Sequence, residues 1–449
     1  MRQLDRQELA LGETELIYPA YTDSFRCIGS VCEDTCCQGW TIPIDQAIIQ
    51  KYKNLPASPL HQLIDASIQL TPECADNSKP TICAHIQMNA SRQCPLLSED
   101  RLCRIQREYG EAFLPPTCAT YPRIVYSIGN HEEQALALSC PEAARLVLLN
   151  PVLLNPVLLD PTLLSPSSRT IQEPLCDAPR EGNRVEDSRS PQAWFWSIRK
   201  SVIGMIQNRA YPLWQRVFLV GVFCRQLEAI AQGECGSLTI PAYVGDFEAA
   251  VASGAPQAAL DTLPVERALQ LDLVLRLAGM LLHRSNLHPR FVECVRAFTS
   301  GIGNGPGATL ESLTANYTLA HDRFYAPFFE RHPHILENYL INAIFLSQFP
   351  FGREGMRLGA SSSMAHEYAL LTAQFALMKG LLIGVAGFHR EAFSSEHVVH
   401  TVQSASKHFD HHRDFLSDAH ALLVERQMDD ARGAAILLRN TGSMSEKAA

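Results

Sequence analysis

Residues 212–227 read PLWQRVFLVGVFCRQL, and the spacing of their apolar positions decides the fold class. Leu213, Val217, Val220, Cys224 and Leu227 recur at steps of three and four, the period of one helix face. Pro212 stands just ahead of them, where a helix tolerates proline. The same spacing returns at Ala268, Leu271, Leu275, Ala278 and Leu282, at Leu336, Leu340 and Ala343, and at Leu371, Phe375, Met378 and Leu382. Each stripe needs a neighbouring helix to bury against. Short apolar runs do not alternate with these helices, so a doubly wound parallel sheet is not indicated. The expected architecture is mainly α: an all-α helical domain over residues 193–449, with a Cys-rich metal-binding N-terminal region packed on it.

Ahead of the helices the pattern changes twice. Asn150-Pro-Val-Leu-Leu, Asn155-Pro-Val-Leu-Leu and Asp160-Pro-Thr-Leu-Leu form a five-residue tandem repeat ending at Ser165-Pro166. A solenoid unit is about 20 residues or longer, so this is a local expansion. The stretch that follows is rich in Ser, Pro, Arg and Glu, and residues 149–192 together read as repeat and linker. Residues 1–148 are left as a separate, loop-rich region.

Composition limits the function classes. With 46% hydrophobic residues in 449, wholesale disorder is ruled out. A net charge of −9 and the absence of a long basic run argue against a nucleic-acid partner. No membrane span is expected: Leu146–Leu164 is interrupted by Pro151, Pro156 and Pro161, and Leu377–Phe388 is short and holds Lys379. Charges in the first sixteen residues stand where a signal peptide needs an apolar stretch, which points to a cytoplasmic protein.

Ten of the fourteen cysteines precede residue 141. In a reducing compartment such clustering points to metal binding or chemistry before disulfides. One group is Cys27, Cys32, Cys36 and Cys37, with Gly29 and Gly39 allowing a tight backbone. The other is Cys94, Cys103, Cys118 and Cys140. Thiolates select zinc, copper(I) or iron–sulfur clusters. Histidine is scarce here, paired CxxC knuckles are missing, and irregular all-thiol supply suits an iron–sulfur cluster better than zinc, with both left open. Cys32-x3-Cys36 followed at once by Cys37 breaks the Cys-x3-Cys-x2-Cys spacing of radical S-adenosylmethionine enzymes. Cys224 and Cys294 sit in helical stripes and read as core residues. Cys74, Cys83, Cys176 and Cys235 lack partners at ligand spacing.

Several strings resemble bacterial flagellin lysine N-methyltransferases. They are Tyr18-Pro-Ala-Tyr21, Phe25-Arg-Cys27 through Cys36-Cys37-x-Gly-Trp40, and Cys94-Pro-Leu-Leu with Leu102-Cys103-x-Ile. Thr117-Cys118-x-x-Tyr121-Pro-Arg123, Leu138-Ser-Cys140-Pro-Glu-Ala-Ala-Arg145, Glu337-Asn-Tyr-Leu340 and Phe349-Pro-Phe351 complete the match. The cysteine region is also similar to a wider set of zinc- or iron-chelating proteins whose dense run ends in Cys-Cys. The resemblance implies methyl transfer from S-adenosylmethionine to flagellin lysines, and a thiolate-bound iron centre.

A reacting lysine must be neutral, so the site needs burial, a cation or a base. Tyr18, Tyr21, Tyr121 and Tyr339 lie inside the matched strings and are the catalytic candidates, and Arg123 is the candidate for the donor's carboxylate. Gly301-Ile-Gly-Asn-Gly-Pro-Gly307 follows a helical pattern and reads as a helix–helix connection, not a nucleotide loop. His397, His400, His408, His411, His412 and His420 read as a solvated helix face. The rival functions are a non-enzymatic metal protein in assembly or partner docking, and a redox or radical enzyme.

Overall fold

Pro212 caps a helix that runs Leu213–Ala231, and Val217, Val220, Cys224 and Leu227 are buried along it. The computed structural model describes residues 15–17, 19, 21–71, 82–128, 131–151, 190–283, 287–352, 363–409 and 413–440. Tyr18, Cys74, Cys176, His411, His412, most of the five-residue repeat and most of the linker lie outside the described residues.

The first third alternates short elements: β1 (Glu15–Ile17), α1 (Tyr21–Ser24), β2 (Ile42–Asp45), α2 (Gln46–Lys53), α3 (Pro59–Ser67), β3 (Ile68–Leu70), β4 (Ile82–Ile86), α4 (Arg104–Tyr109), α5 (Pro116–Thr120), β5 (Arg123–Ile128), β6 (His131–Leu136) and α6 (Pro141–Leu149). The remainder is helical. It comprises α7 (Phe195–Gln207), α8 (Leu213–Ala231), α9 (Ile240–Ala252), α10 (Gln257–Asp261), α11 (Arg267–Leu282), α12 (Pro289–Gly301) and α13 (Leu310–Ala320). A π-turn at His321–Tyr325 leads into α14 (Ala326–Arg331), α15 (His334–Leu346), α16 (Met364–His389), α17 (Ser395–Phe409), α18 (Arg413–Glu425) and α19 (Ala431–Leu438). The protein is mainly α, as its stripes predict.

Two details differ from the sequence reading. On α11 the buried face is Leu271, Val274, Ala278 and Leu281, while Ala268 and Leu282 at its ends turn outward. That helix is apolar on several sides, so spacing alone does not choose which side is covered. The N-terminal region also holds two small three-stranded sheets, ordered β1-β6-β5 and β2-β4-β3. In the first, β1 runs parallel to β6 with Glu15 opposite His131, and β5 and β6 form a hairpin.

α16 is the axis of the helical lobe. Its described length and composition would suffice to cross a membrane, but it is buried inside the protein. An all-round apolar helix is what the centre of a large bundle requires. α12 crosses it at a pair of glycines. A Cβ on Gly384 would lie 2.7 Å from the Phe298 carbonyl oxygen, and one on Gly387 would lie 2.8 Å from that of Gly301. Gly301 ends α12, and the glycine-rich stretch behind it joins α12 to α13, as expected.

Apolar burial divides the chain into two cores. The small core is built from β2, β4, α2 and α3 with Leu96, Ile105 and Leu114, and Cys37, Cys94, Cys103 and Cys118 pack into or against it. The large core takes in all the long helices and also Tyr21, Phe25, Ile128, Leu136 and α6 from the N-terminal region. α15 makes this junction. Asn342 Oδ1 accepts from Tyr21 Oη at 2.5 Å, and its Nδ2 donates to the Leu136 carbonyl at 2.9 Å. Asn338 Nδ2 donates to the carbonyls of Val147 and Asn150 at the end of α6. Glu337 pairs with Arg209 and Arg216 at 3.0 and 2.9 Å.

Candidate functional site

The loop after α1 turns tightly because Gly29 and Gly39 take positive φ of 60° and 91°, conformations that side chains disfavour. Gly39 N donates to the Arg92 carbonyl, and Cys94 N donates to the Cys37 carbonyl at 2.8 Å. These bonds zip the first cysteine group to the second, about sixty residues downstream.

The eight expected thiols are linked in a chain of pairwise electrostatic contacts. Cys27 and Cys36 are exposed, Cys94 and Cys140 are buried, the other four are half-buried, and all are free. Cys36 and Cys37 share a hydrogen bond that draws the Cys36 thiol down to about 7 and drives Cys37 up. Cys37 feels the charges of Cys36, Cys94 and Cys103, and Cys118 those of Cys103, Cys36 and Cys94. Burial pushes Cys94 up to about 11. Burial also pushes Cys140 up to about 12, helped by Cys32 and Cys36, and Cys32 in turn feels Cys27. Cys36 therefore links a group of five thiols to a group of three.

Soft thiols crowded at one place fit a thiolate-bound metal centre. Among the described residues, no three Cys, His, Asp or Glu side chains are placed to hold one ion. A tetrahedral zinc would need four sulfurs at about 2.3 Å from one point. A polynuclear cluster attaches its cysteines to different iron atoms and suits a wider spread. Cys83 is disulfide-bonded, and Cys224 and Cys294 are core residues of the helical lobe, as expected.

Asp34, between the thiols, is the polar joint to the helical lobe. Its buried carboxylate accepts from Lys407 Nζ and Gln403 Nε2, each at 2.8 Å, and lies 3.4 Å from His288 Nε2. Burial alone would raise its pKa, but His288 and Lys407 more than offset that and hold it far below the usual carboxylate range. Gln403 Nε2 also donates to the Ser139 carbonyl, and Lys407 to that of Thr35. His408 is not on a solvated face. It is buried, meets the Phe291 ring at 4.5 Å between centres with a 41° tilt, and accepts from the His288 backbone N–H at 3.1 Å.

Between the thiol loop and the helices lies a cleft of about 1660 Å³. One wall carries Cys36, Trp40, Arg92, Tyr121 and Ser139. The other carries Arg276, Met280 and His283 of the α11 end, His288 and Lys407, and Asp414 and Asp418 of α18. Pockets for one small molecule usually measure about 300–1,000 Å³, so this one has room for a donor and a protein segment together.

The tyrosine candidates separate. Tyr121 lines the cleft, but its hydroxyl is buried against Ser139 Oγ at 3.2 Å, and burial raises its pKa well above the usual value. Tyr21 is fully buried at the α15 junction, and Tyr339 is buried against Phe375 at 6.1 Å between ring centres. Arg123 lies over the Phe25 ring at 5.0 Å and donates to the Phe25 carbonyl, and it is not among the residues that line the cleft. Spacing did not single out His283. Its Nδ1 faces the Gly279 carbonyl at 2.8 Å, and a carbonyl only accepts. In the neutral ring this contact places the proton on Nδ1.

The model of the FliB lysine N-methylase C-terminal domain matches residues 199–437, more than half of the chain and most of the helical lobe. Over 140 residues the chain is 34% identical to the flagellar biosynthetic protein FliU of Salmonella muenchen, covering 31% of this chain and 80% of that protein. It is equally similar to the lysine-N-methylases of Salmonella typhimurium and Salmonella choleraesuis, where the match spans 34% of their length. No solved structure matches. With its helical lobe and its relatives in agreement, the chain belongs to the FliB lysine N-methylase family.

Proposed function

We propose that this protein is a protein-lysine N-methyltransferase that moves methyl groups from S-adenosylmethionine to flagellin lysines in the cytoplasm, with the interlobe cleft as its active site. The observation that carries the reading is the cleft itself: the FliB-type helices form one wall and the thiol loop the other. The names of the relatives support lysine methylation and a flagellar setting.

In this reaction the lysine nitrogen attacks the sulfonium methyl in line. A carbon–nitrogen bond forms, the carbon–sulfur bond breaks, and its electron pair stays on the departing thioether. The amine must first lose a proton, since under about 0.1% of a free lysine is neutral at pH 7. His283 lines the cleft, and on this reading its neutral imidazole takes that proton. Tyr121 contributes its ring, not a phenolate, because its hydroxyl is buried. The pool of Cys27, Cys32, Cys36, Cys37, Cys94, Cys103, Cys118 and Cys140 would hold an iron–sulfur centre, with zinc as the alternative. When bound, that centre supplies a fixed, redox-capable wall beside the cleft.

Anaerobically purified, metal-loaded protein is incubated with methyl-labelled S-adenosylmethionine and flagellin. Label on lysine is expected, and no transfer overturns the reading. His283→Gln should lower kcat about 100-fold or more with flagellin binding retained. An unchanged kcat removes His283 as the base. Elemental analysis should find iron; stoichiometric zinc in colourless protein decides for the alternative.

A further inference from the structure

Trp40 and Tyr121 stand together in the cleft wall, ring centres 5.2 Å apart and tilted by 54°. Trp40 Nε1 donates to the Cys36 carbonyl at 2.5 Å, which fixes the indole against the thiol loop. The Tyr121 hydroxyl is likewise spent on Ser139. With both polar handles engaged by the protein, the rings form a paired aromatic surface in a cleft that also carries Met280, Leu287 and Leu422. Aromatic faces attract organic cations, and methylated ammonium groups most of all, because their charge is weakly hydrated.

The charges around the cleft agree with a cationic guest. Two of its cations are offset by ion pairs, Lys407 with Asp34 and Arg276 with Asp272, each at 2.8 Å, while Arg92 bonds the neutral Gly39 carbonyl at 2.9 Å. Asp414 and Asp418, one helical turn apart on α18, bring exposed carboxylates to the same cleft.

We propose that Trp40 and Tyr121 form the subsite for the substrate's lysine side chain, and that this subsite holds the ammonium group more tightly as methyl groups are added. The proposal deepens the methyltransferase reading and rests on it for the identity of the guest. An enzyme built this way retains a partly methylated lysine and carries it onward to higher methylation.

The test is binding by the full-length, metal-loaded protein without donor, read by calorimetry. Four versions of one short capped flagellin peptide are compared, carrying lysine, trimethyl-lysine, acetyl-lysine or the neutral tert-butyl isostere of trimethyl-lysine. Trimethyl-lysine should bind about 3- to 30-fold more tightly than its neutral isostere. Trp40→Ala should erase that ratio and Trp40→Phe should keep part of it, with metal content and circular dichroism checked for each. Tyr121→Leu, which leaves the indole in place, should reduce the ratio without erasing it. Equal affinity for the charged and neutral peptides, or no binding of any of them, overturns the proposal. Methyl transfer to flagellin without charge discrimination would sink the subsite and leave the enzyme standing. Discrimination without transfer would do the reverse.

Discussion

The two cores of this protein are held by different forces. The large one buries apolar side chains around α16 on every side and includes strands and a helix from the first third of the chain. Among the described residues the small one has fifteen buried apolar side chains between Ile42 and Leu114, two of them cysteines, with three more cysteines packed against it. A core of that size supplies only about 3–5 kcal/mol, and natural domains of this scale need a staple. Of the thiol pool, Cys37, Cys94, Cys103 and Cys118 pack into or against this core, while Cys140 belongs to the large one. The thiol loop borders both regions: Cys37 packs against the small core, and Cys36 and Trp40 line the cleft.

The largest effect tests that staple. On the proposed metal-centre reading, anaerobic chelation, or Cys36, Cys94 and Cys118 changed together to serine, should strip hydrogen-exchange protection from β2, β3 and β4. Metal binding to small domains is worth about 10 kcal/mol, more than the small core can supply by itself. α16 should keep its protection. Equal loss in α16 would show that the two cores are one cooperative unit, and no loss in β2–β4 would show that the small core stands by packing alone.

Next in size is a change that touches only the large core. Gly384→Val forces a branched side chain into the Phe298 ring and carbonyl where α12 crosses α16. Overpacking of this kind costs about 3 kcal/mol or more. Thermal unfolding of the helical lobe should drop accordingly, while protection in β2–β4 stays. A drop confined to the small core would reverse the assignment of forces.

The helices of the large core were legible because a 3.6-residue period is a local signal, and Pro212 and the Gly301–Gly307 stretch punctuate it as proline and glycine do. The thiol pool is proposed from residue type and clustering, which name a chemistry but fix no geometry. The strands were not: β1 is three residues long and pairs with residues more than a hundred positions away. Asp34 could not be read as the interlobe joint, since Gln403 and Lys407 lie some 370 positions downstream and nothing local marks the pairing. His283 is visible only through the carbonyl that sets its tautomer. Tyr21 and Tyr339 were picked out by the strings around them, and those strings proved to carry the joint between the N-terminal region and α15.

The smallest effect concerns a charge that the large core takes in. Lys379, midway along α16, donates to the Leu438 carbonyl and to Asn440 Oδ1. Two acceptors match the two N–H bonds of a neutral amine, and burial lowers its pKa to about 7. Asn440 is held in turn by Gln270, whose Oε1 also accepts from Tyr317, so the network fastens the end of the described chain to the bundle. The direction of the pH effect follows from which state binds more protons. Between about pH 7 and the unfolded value near 10.4, the unfolded lysine stays charged while the folded one is neutral, so stability rises with pH. Below about pH 7 the penalty for burying the charge is constant. His321 nearby is held down to about 4, chiefly by burial and further by Lys379, and titrates outside that window. Lys379→Met removes the titration and leaves the two acceptors without a donor, a loss of about 1–3 kcal/mol set against the relieved charge burial. The wild-type Tm, measured from pH 7 to 9, should therefore climb relative to that of the variant. Parallel curves would mean that Lys379 keeps its proton in the fold, and that the large core tolerates a full charge beside its central helix.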